Sequence, residues 1–145
     1  KERGLTLATA ESCTGGNIAH QITSVAGSSA YFLGSVVSYA NEVKTNLLKV
    51  PTEVLDSHGA VSEPTVKQMV QGVCELLGAD CSMATSGIAG PGGGTPTKPV
   101  GTVWMAVKCG DRIETQCKHF PGSRDRVIDR ATTEVQIMLL KMLLE

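Results

Sequence analysis

Two hydroxyls and a thiol stand on one short turn: Ser12, Cys13 and Thr14, flanked by Glu11 and by Gly15-Gly16. An apolar run from Leu5 to Ala10 leads into the turn, and an amphipathic run (Ile18, Ile22, Val25) leaves it. That order predicts strand, glycine turn, helix. The start of a helix carries backbone N–H groups without helical partners, so such a turn can hold an anion, present a nucleophile, or do both. Ser12 needs a base to become a nucleophile. Cys13 needs only a lowered pKa, which a helix N-terminus favours. The two are adjacent and cannot easily both face one crevice, and each has an ordinary reading, as a turn serine and a small buried filler.

Lys44 is the better base for Ser12. With Asn41 as the cap of a helix, Lys44 falls in its first turn, where the helix dipole and partial desolvation ease loss of the ammonium proton. Tyr39, just before the cap, could relay a proton between Ser12 and Lys44. The ordinary reading of this pair is a surface lysine and a core tyrosine. A Ser-His-Asp triad has little support. His20, His58 and His119 fall within a helix, near a helix end and on a strand, and no Gly-x-Ser-x-Gly elbow surrounds Ser12. A dehydrogenase reading fails too: Tyr39 and Lys44 are five apart rather than four, and no G-x-G-x-x-G follows the first strand.

Two further segments could meet an anion. Residues 87–95, glycine-rich and ending without Gly-Lys-Ser/Thr, are no Walker loop, but their backbone can form a nest for a phosphate or an oxyanion. Arg124, Arg126 and Arg130 crowd the start of the last helix, with Arg126 and Arg130 on one face by their spacing of four. Cations there oppose the helix dipole. Gathering an anion explains them, and so does pairing with Asp125 or Asp129.

The elements that must position these groups follow from pattern. Strands are expected at Leu5–Ala10, Ser35–Tyr39 and Cys81–Ser86, with an antiparallel pair at Val100–Lys108 and Arg112–Phe120. Helices are expected at Gly15–Val25, Asn41–Lys49 and Thr52–His58, after Ser62 up to Gly78, and from Ser123 onward. Helices alternating with strands, then a hairpin, predict a three-layer α/β/α sandwich on a mixed, mostly parallel sheet. Ligands in such sheets bind beyond the strand carboxyl ends, where residues 11–16, 39–44 and 86–99 converge.

Composition narrows the function. The chain has 145 residues, 13 basic and 14 acidic, for a net charge of −1, which fits one domain without a field for nucleic acid or membrane. Aromatics are few, Trp104, Tyr31, Tyr39, Phe32 and Phe120, which argues against stacking platforms for single strands. The five cysteines form no C-x-x-C pair, so free thiols in a reducing cytoplasm are expected rather than a disulfide framework or a zinc site. Because the chain opens on Lys1, an N-terminal helix or a preceding domain is expected to be missing.

The motifs resemble, in order and over nearly the whole chain, the C-terminal domain of the CinA family, also found as a free-standing nicotinamide-nucleotide amidase. The segments that carry the resemblance are Ala10-Glu11-Ser12-Cys13-Thr14-Gly15-Gly16, Gly27-Ser28-Ser29 with Tyr31-Phe32, Tyr39-Ala40-Asn41 with Lys44, His58-Gly59-Ala60-Val61-Ser62-Glu63, Gly87-Ile88-Ala89-Gly90-Pro91-Gly92-Gly93, and Lys98-Pro99-Val100-Gly101-Thr102-Val103. The resemblance implies an α/β/α fold and metal-independent, cofactor-free hydrolysis of nicotinamide mononucleotide to nicotinic acid mononucleotide and ammonia, in pyridine-nucleotide salvage. It makes Ser12 the nucleophile, with Lys44 and Tyr39 as activating partners. Glu11, Thr14, Gly15, Gly16, Ser86, Gly87 and Arg126 become substrate-binding residues. Ser86 stands where the family usually has threonine, so the hydroxyl is kept and the methyl that fixes its rotamer is lost. A cytoplasmic homo-oligomer is expected, and the alternatives are a catalytically silent nucleotide-binding module or a thiol amidase using Cys13.

Overall fold

Small side chains at the centre of the sheet let helices pack closely on both faces. In the computed structural model, which describes residues 1–145, the central strand β1 (Leu7–Glu11) turns Ala8 and Ala10 to one face and Leu7, Thr9 and Glu11 to the other. β1 is flanked by β2 (Phe32–Val37) and β3 (Cys81–Gly87), both parallel to it. β4 (Thr102–Cys109) then runs antiparallel to β3, and β5 (Arg112–His119) antiparallel to β4, giving the order β2-β1-β3-β4-β5. Two neighbouring pairs are parallel and two antiparallel, so the sheet is mixed as expected but less dominated by parallel pairing.

Helix α1 (Asn17–Thr23) follows β1 and lies with the long C-terminal helix α5 (Arg124–Leu144) over one face. A short 3-10 turn, Ser28–Ala30, leads into β2. The other face is covered by α2 (Asn41–Leu48), α3 (Thr52–His58) and α4 (Glu63–Leu77). The apolar stripe expected on α4 is the heart of that layer, with Val66, Met69, Val70 and Val73 fully buried. α2 lies so close to α4 that a Cβ on Gly72 would stand 2.0 Å from the Leu48 carbonyl oxygen. That notch fixes how deep α2 sits against the sheet.

From β1 the chain crosses through α1 to β2 on one side, then through α2–α4 to β3 on the other. The carboxyl end of β1 is therefore a topological switch point, where the connections diverge and leave a crevice. Asn41 is the first helical residue of α2 rather than its cap. Ala40 holds the cap position in extended backbone, and no side chain caps the helix. Ser123 does cap α5, accepting from the Arg126 N–H at 3.4 Å. No helix is long and apolar enough to cross a membrane.

Candidate active site

Ser12 extends the β1–β3 pairing by one residue, its N–H donating to the Thr85 carbonyl at 3.1 Å, and the chain then turns through Gly15 and Gly16. Both glycines have positive φ, 57° and 100°, which the tight entry into α1 demands. The turn wraps an internal anion. The Glu11 side chain is fully buried and accepts from the N–H groups of Gly16, Ile18 and Ala19 at 3.0–3.1 Å. It also accepts from the hydroxyls of Thr14 (2.7 Å), Thr9 and Ser35 (both 3.3 Å). The free donors expected at the start of α1 are thus already engaged by the protein's own carboxylate. Glu11, Thr14, Gly15 and Gly16, read from sequence as substrate contacts, are not in the cleft wall; they hold the turn from which Ser12 projects.

On the other side of the switch point, α2 delivers Lys44. Its side chain is 1% exposed, and Nζ lies 3.1 Å from Ser12 Oγ, 2.7 Å from the Ser38 carbonyl oxygen and 3.2 Å from that of Tyr39. No carboxylate lies within ion-pair distance. Burial without a counter-ion pulls the Lys44 pKa below the ordinary 10.5. A neutral amine has two N–H bonds and one lone pair. Two carbonyl acceptors take the N–H bonds, and the lone pair is left for the Ser12 hydroxyl proton. The contact is direct, with no phenol standing between the two groups. Tyr39 is 62% exposed, and its hydroxyl accepts from Arg124 Nη2 at 3.2 Å. The ordinary reading of these two residues is inverted: the lysine is in the core and the tyrosine at the surface.

Ser12 and Lys44 open into a cleft of about 270 Å³ whose wall includes Tyr39, Ser86, Gly87 and Arg124. The N–H groups of Cys13, Ala89, Gly90, Gly92 and Gly93, also in the wall, make no hydrogen bond within the chain. They can serve a ligand oxygen. Ser86 is 1% exposed, and its hydroxyl has no partner in the chain. Gly87 admits no side chain, since a Cβ would meet the Thr102 carbonyl oxygen at 2.7 Å. A larger apolar groove, about 490 Å³, lies by Leu5, Leu7, Tyr31 and Leu143 at the other end of the sheet, without a paired nucleophile and base.

Arg126, expected from sequence as a substrate contact, does not line this cleft; Arg124, two residues earlier on α5, does. The Arg124 Nη1 donates to the Gly90 carbonyl at 2.7 Å while Nη2 reaches Tyr39, so one guanidinium ties together α5, the glycine loop and the β2–α2 connection. The expected thiol alternative loses its basis. Cys13 is buried, and that burial pushes its thiol up to about 11, leaving it protonated near neutrality. His20, His58 and His119 are exposed and absent from the cleft.

Fold and cleft define an α/β/α domain with a buried serine–lysine pair at the switch point of its sheet. Residues 1–143 match the model of the CinA C-terminal domain, and the chain belongs to that family. A CinA-like protein of Mycolicibacterium gilvum is 50% identical over 141 residues, covering 97% of this chain and 33% of that protein. The chain spans about a third of the length of the curated relatives it matches. A crystal structure of the competence damage-inducible protein A from Klebsiella pneumoniae superposes with a TM-score of 0.96 at 40% identity, covering 99% of this chain and 89% of that one. A competence/damage inducible protein from Agrobacterium tumefaciens gives a TM-score of 0.90 at 38% identity, with 96% and 86% covered.

Proposed function

We propose that the domain is a serine amidase that converts nicotinamide mononucleotide to nicotinic acid mononucleotide and ammonia, in pyridine-nucleotide salvage. The observation that carries this reading is Lys44 Nζ, buried and free of counter-ions, 3.1 Å from Ser12 Oγ. An amide is a poor electrophile, so it needs an activated nucleophile, donors for the oxyanion and a proton for the leaving amine.

In the proposed cycle, Ser12 Oγ attacks the carboxamide carbon while its proton passes to Lys44 Nζ. Unpartnered N–H groups of the cleft wall stabilise the oxyanion. The ammonium of Lys44 returns the proton to the departing nitrogen as the C–N bond breaks, releasing ammonia and leaving an ester on Ser12. Water then attacks that ester, Lys44 accepts its proton, and collapse returns the proton to Ser12 with release of the carboxylate. Besides the Lys44 amine, the cleft wall carries the Arg124 guanidinium and no carboxylate, which suits a substrate bearing a phosphate. The same reading has the domain working as a homo-oligomer, for which light scattering is the measurement.

The test is ammonia release from the mononucleotide. Turnover that persists after Cys13→Ala is expected. Tight mononucleotide binding by calorimetry with no ammonia formed would replace the hydrolase with a nucleotide-holding module. The pH profile gives a second expected outcome: the rate should rise with pH through the depressed Lys44 pKa, because the ammonium form cannot accept the Ser12 proton. An acid limb at or above the ordinary lysine value would contradict this assignment.

A further inference from the structure

At the opposite end of the sheet, Cys81 and Cys109 are direct partners across the antiparallel β3–β4 ladder. The Gly110 N–H donates to the Asp80 carbonyl at 3.2 Å, a bond that brackets an opposed pair whose own main-chain groups do not bond each other. In such a pair the Cα atoms lie about 4.5 Å apart and the side chains approach most closely, within the span a disulfide bridges. Both side chains lean to the α1/α5 face, and their Sγ atoms are 2.6 Å apart. Both are free thiols; Cys81 is buried and borders the larger apolar groove, and Cys109 is half-buried.

We propose that Cys81 and Cys109 form an oxidisable pair that closes into an intramolecular disulfide when the protein meets a peroxide. The Cys109 thiolate attacks one peroxide oxygen, the O–O bond breaks, and the departing hydroxide leaves as water with the proton Cys109 gave up. The Cys81 sulfur then loses its proton and attacks the Cys109 sulfenic acid. The S–S bond forms as the S–O bond breaks, and a second water leaves. Two thiols and one peroxide thus become one disulfide and two waters.

The order follows from surroundings. Cys109 is the more accessible sulfur, while burial, with the Cys109 sulfur alongside, pushes the Cys81 thiol up to about 12. Cys81 therefore reacts second, at close range. The crosslink would close a loop containing the glycine-rich segment of the cleft. It sits beside Leu7 at the start of β1, whereas Ser12 follows the end of that strand. It stiffens the frame without touching the Ser12–Lys44 pair.

The test treats the full chain with hydrogen peroxide, alkylates the remaining thiols, and combines intact mass with a non-reducing peptide map. Two of the five thiols should disappear, joined as Cys81–Cys109, and dithiothreitol should restore them. The linked form should melt higher by roughly 5–10 °C. Cys109→Ser and Cys81→Ala should each prevent the paired loss. Sulfinic acid at Cys109 with Cys81 still free, a bridge through Cys13, Cys74 or Cys117, a link between two chains, or a linked form that melts no higher would overturn the proposal.

Discussion

Replacing Ser12 with alanine or Lys44 with methionine is expected to lower ammonia release by on the order of 10³-fold or more. The two losses should not multiply in the double variant, because nucleophile and base act as one unit. Methionine keeps the length of the Lys44 side chain and removes the amine, so the cleft stays filled. Residual rates within tenfold of wild type in both single variants would remove this pair from the chemistry.

Lys44→Met also carries a stability signature with a defined sign. The folded chain holds Lys44 at a lowered pKa. Between that value and the ordinary 10.5, the unfolded chain therefore binds a proton that the folded chain lacks. Wild-type stability should rise with pH across this window relative to the methionine variant. Urea melts of both proteins at several pH values would show the difference closing in favour of wild type. A difference that stays flat would mean the amine titrates alike in both states.

Glu11→Ala is expected to cost about 3–5 kcal/mol, a large part of a typical domain's margin. Six donors converge on this buried side chain, three of them main-chain N–H groups at the start of α1. Without the carboxylate, they lose their shared acceptor. Glu11→Gln keeps the shape but turns a donor toward donors, so it should fall between wild type and alanine. Chemical denaturation followed by circular dichroism reads the effect. An alanine variant within about 0.5 kcal/mol of wild type would show that solvent or neighbours satisfy those donors.

Element boundaries are legible in the sequence where its punctuation is strong. Pro51 and Gly59 bracket α3 at Thr52–His58, and Pro64 and Gly78 mark the ends of α4. Ser12 and Lys44 were legible because each follows a strand whose end faces the crevice. What escaped was direction. Strand parity puts Glu11 on the face of Leu7 and Thr9, beneath α1, and that alternation was the available signal that it points inward.

The depth of Lys44 was not legible from its own neighbours. It depends on Gly72, far along the chain, which lets α2 settle against α4. Choosing between Arg124 and Arg126 needed helical phase. Residues two apart point about 200° from one another around the axis, so only one of them could reach Gly90 and Tyr39.

The reversal of direction after β3 separates two responsibilities. Ser12 and Lys44 hang from the connections that join parallel strands, while residues 88–101 simply double back into β4. Changes in that returning segment can reshape what is admitted without shifting the reactive oxygen or its base. Selectivity in this scaffold is therefore free to drift through the side chains of that segment while the nucleophile and its base stay put, and the same boundary marks where a designer would splice.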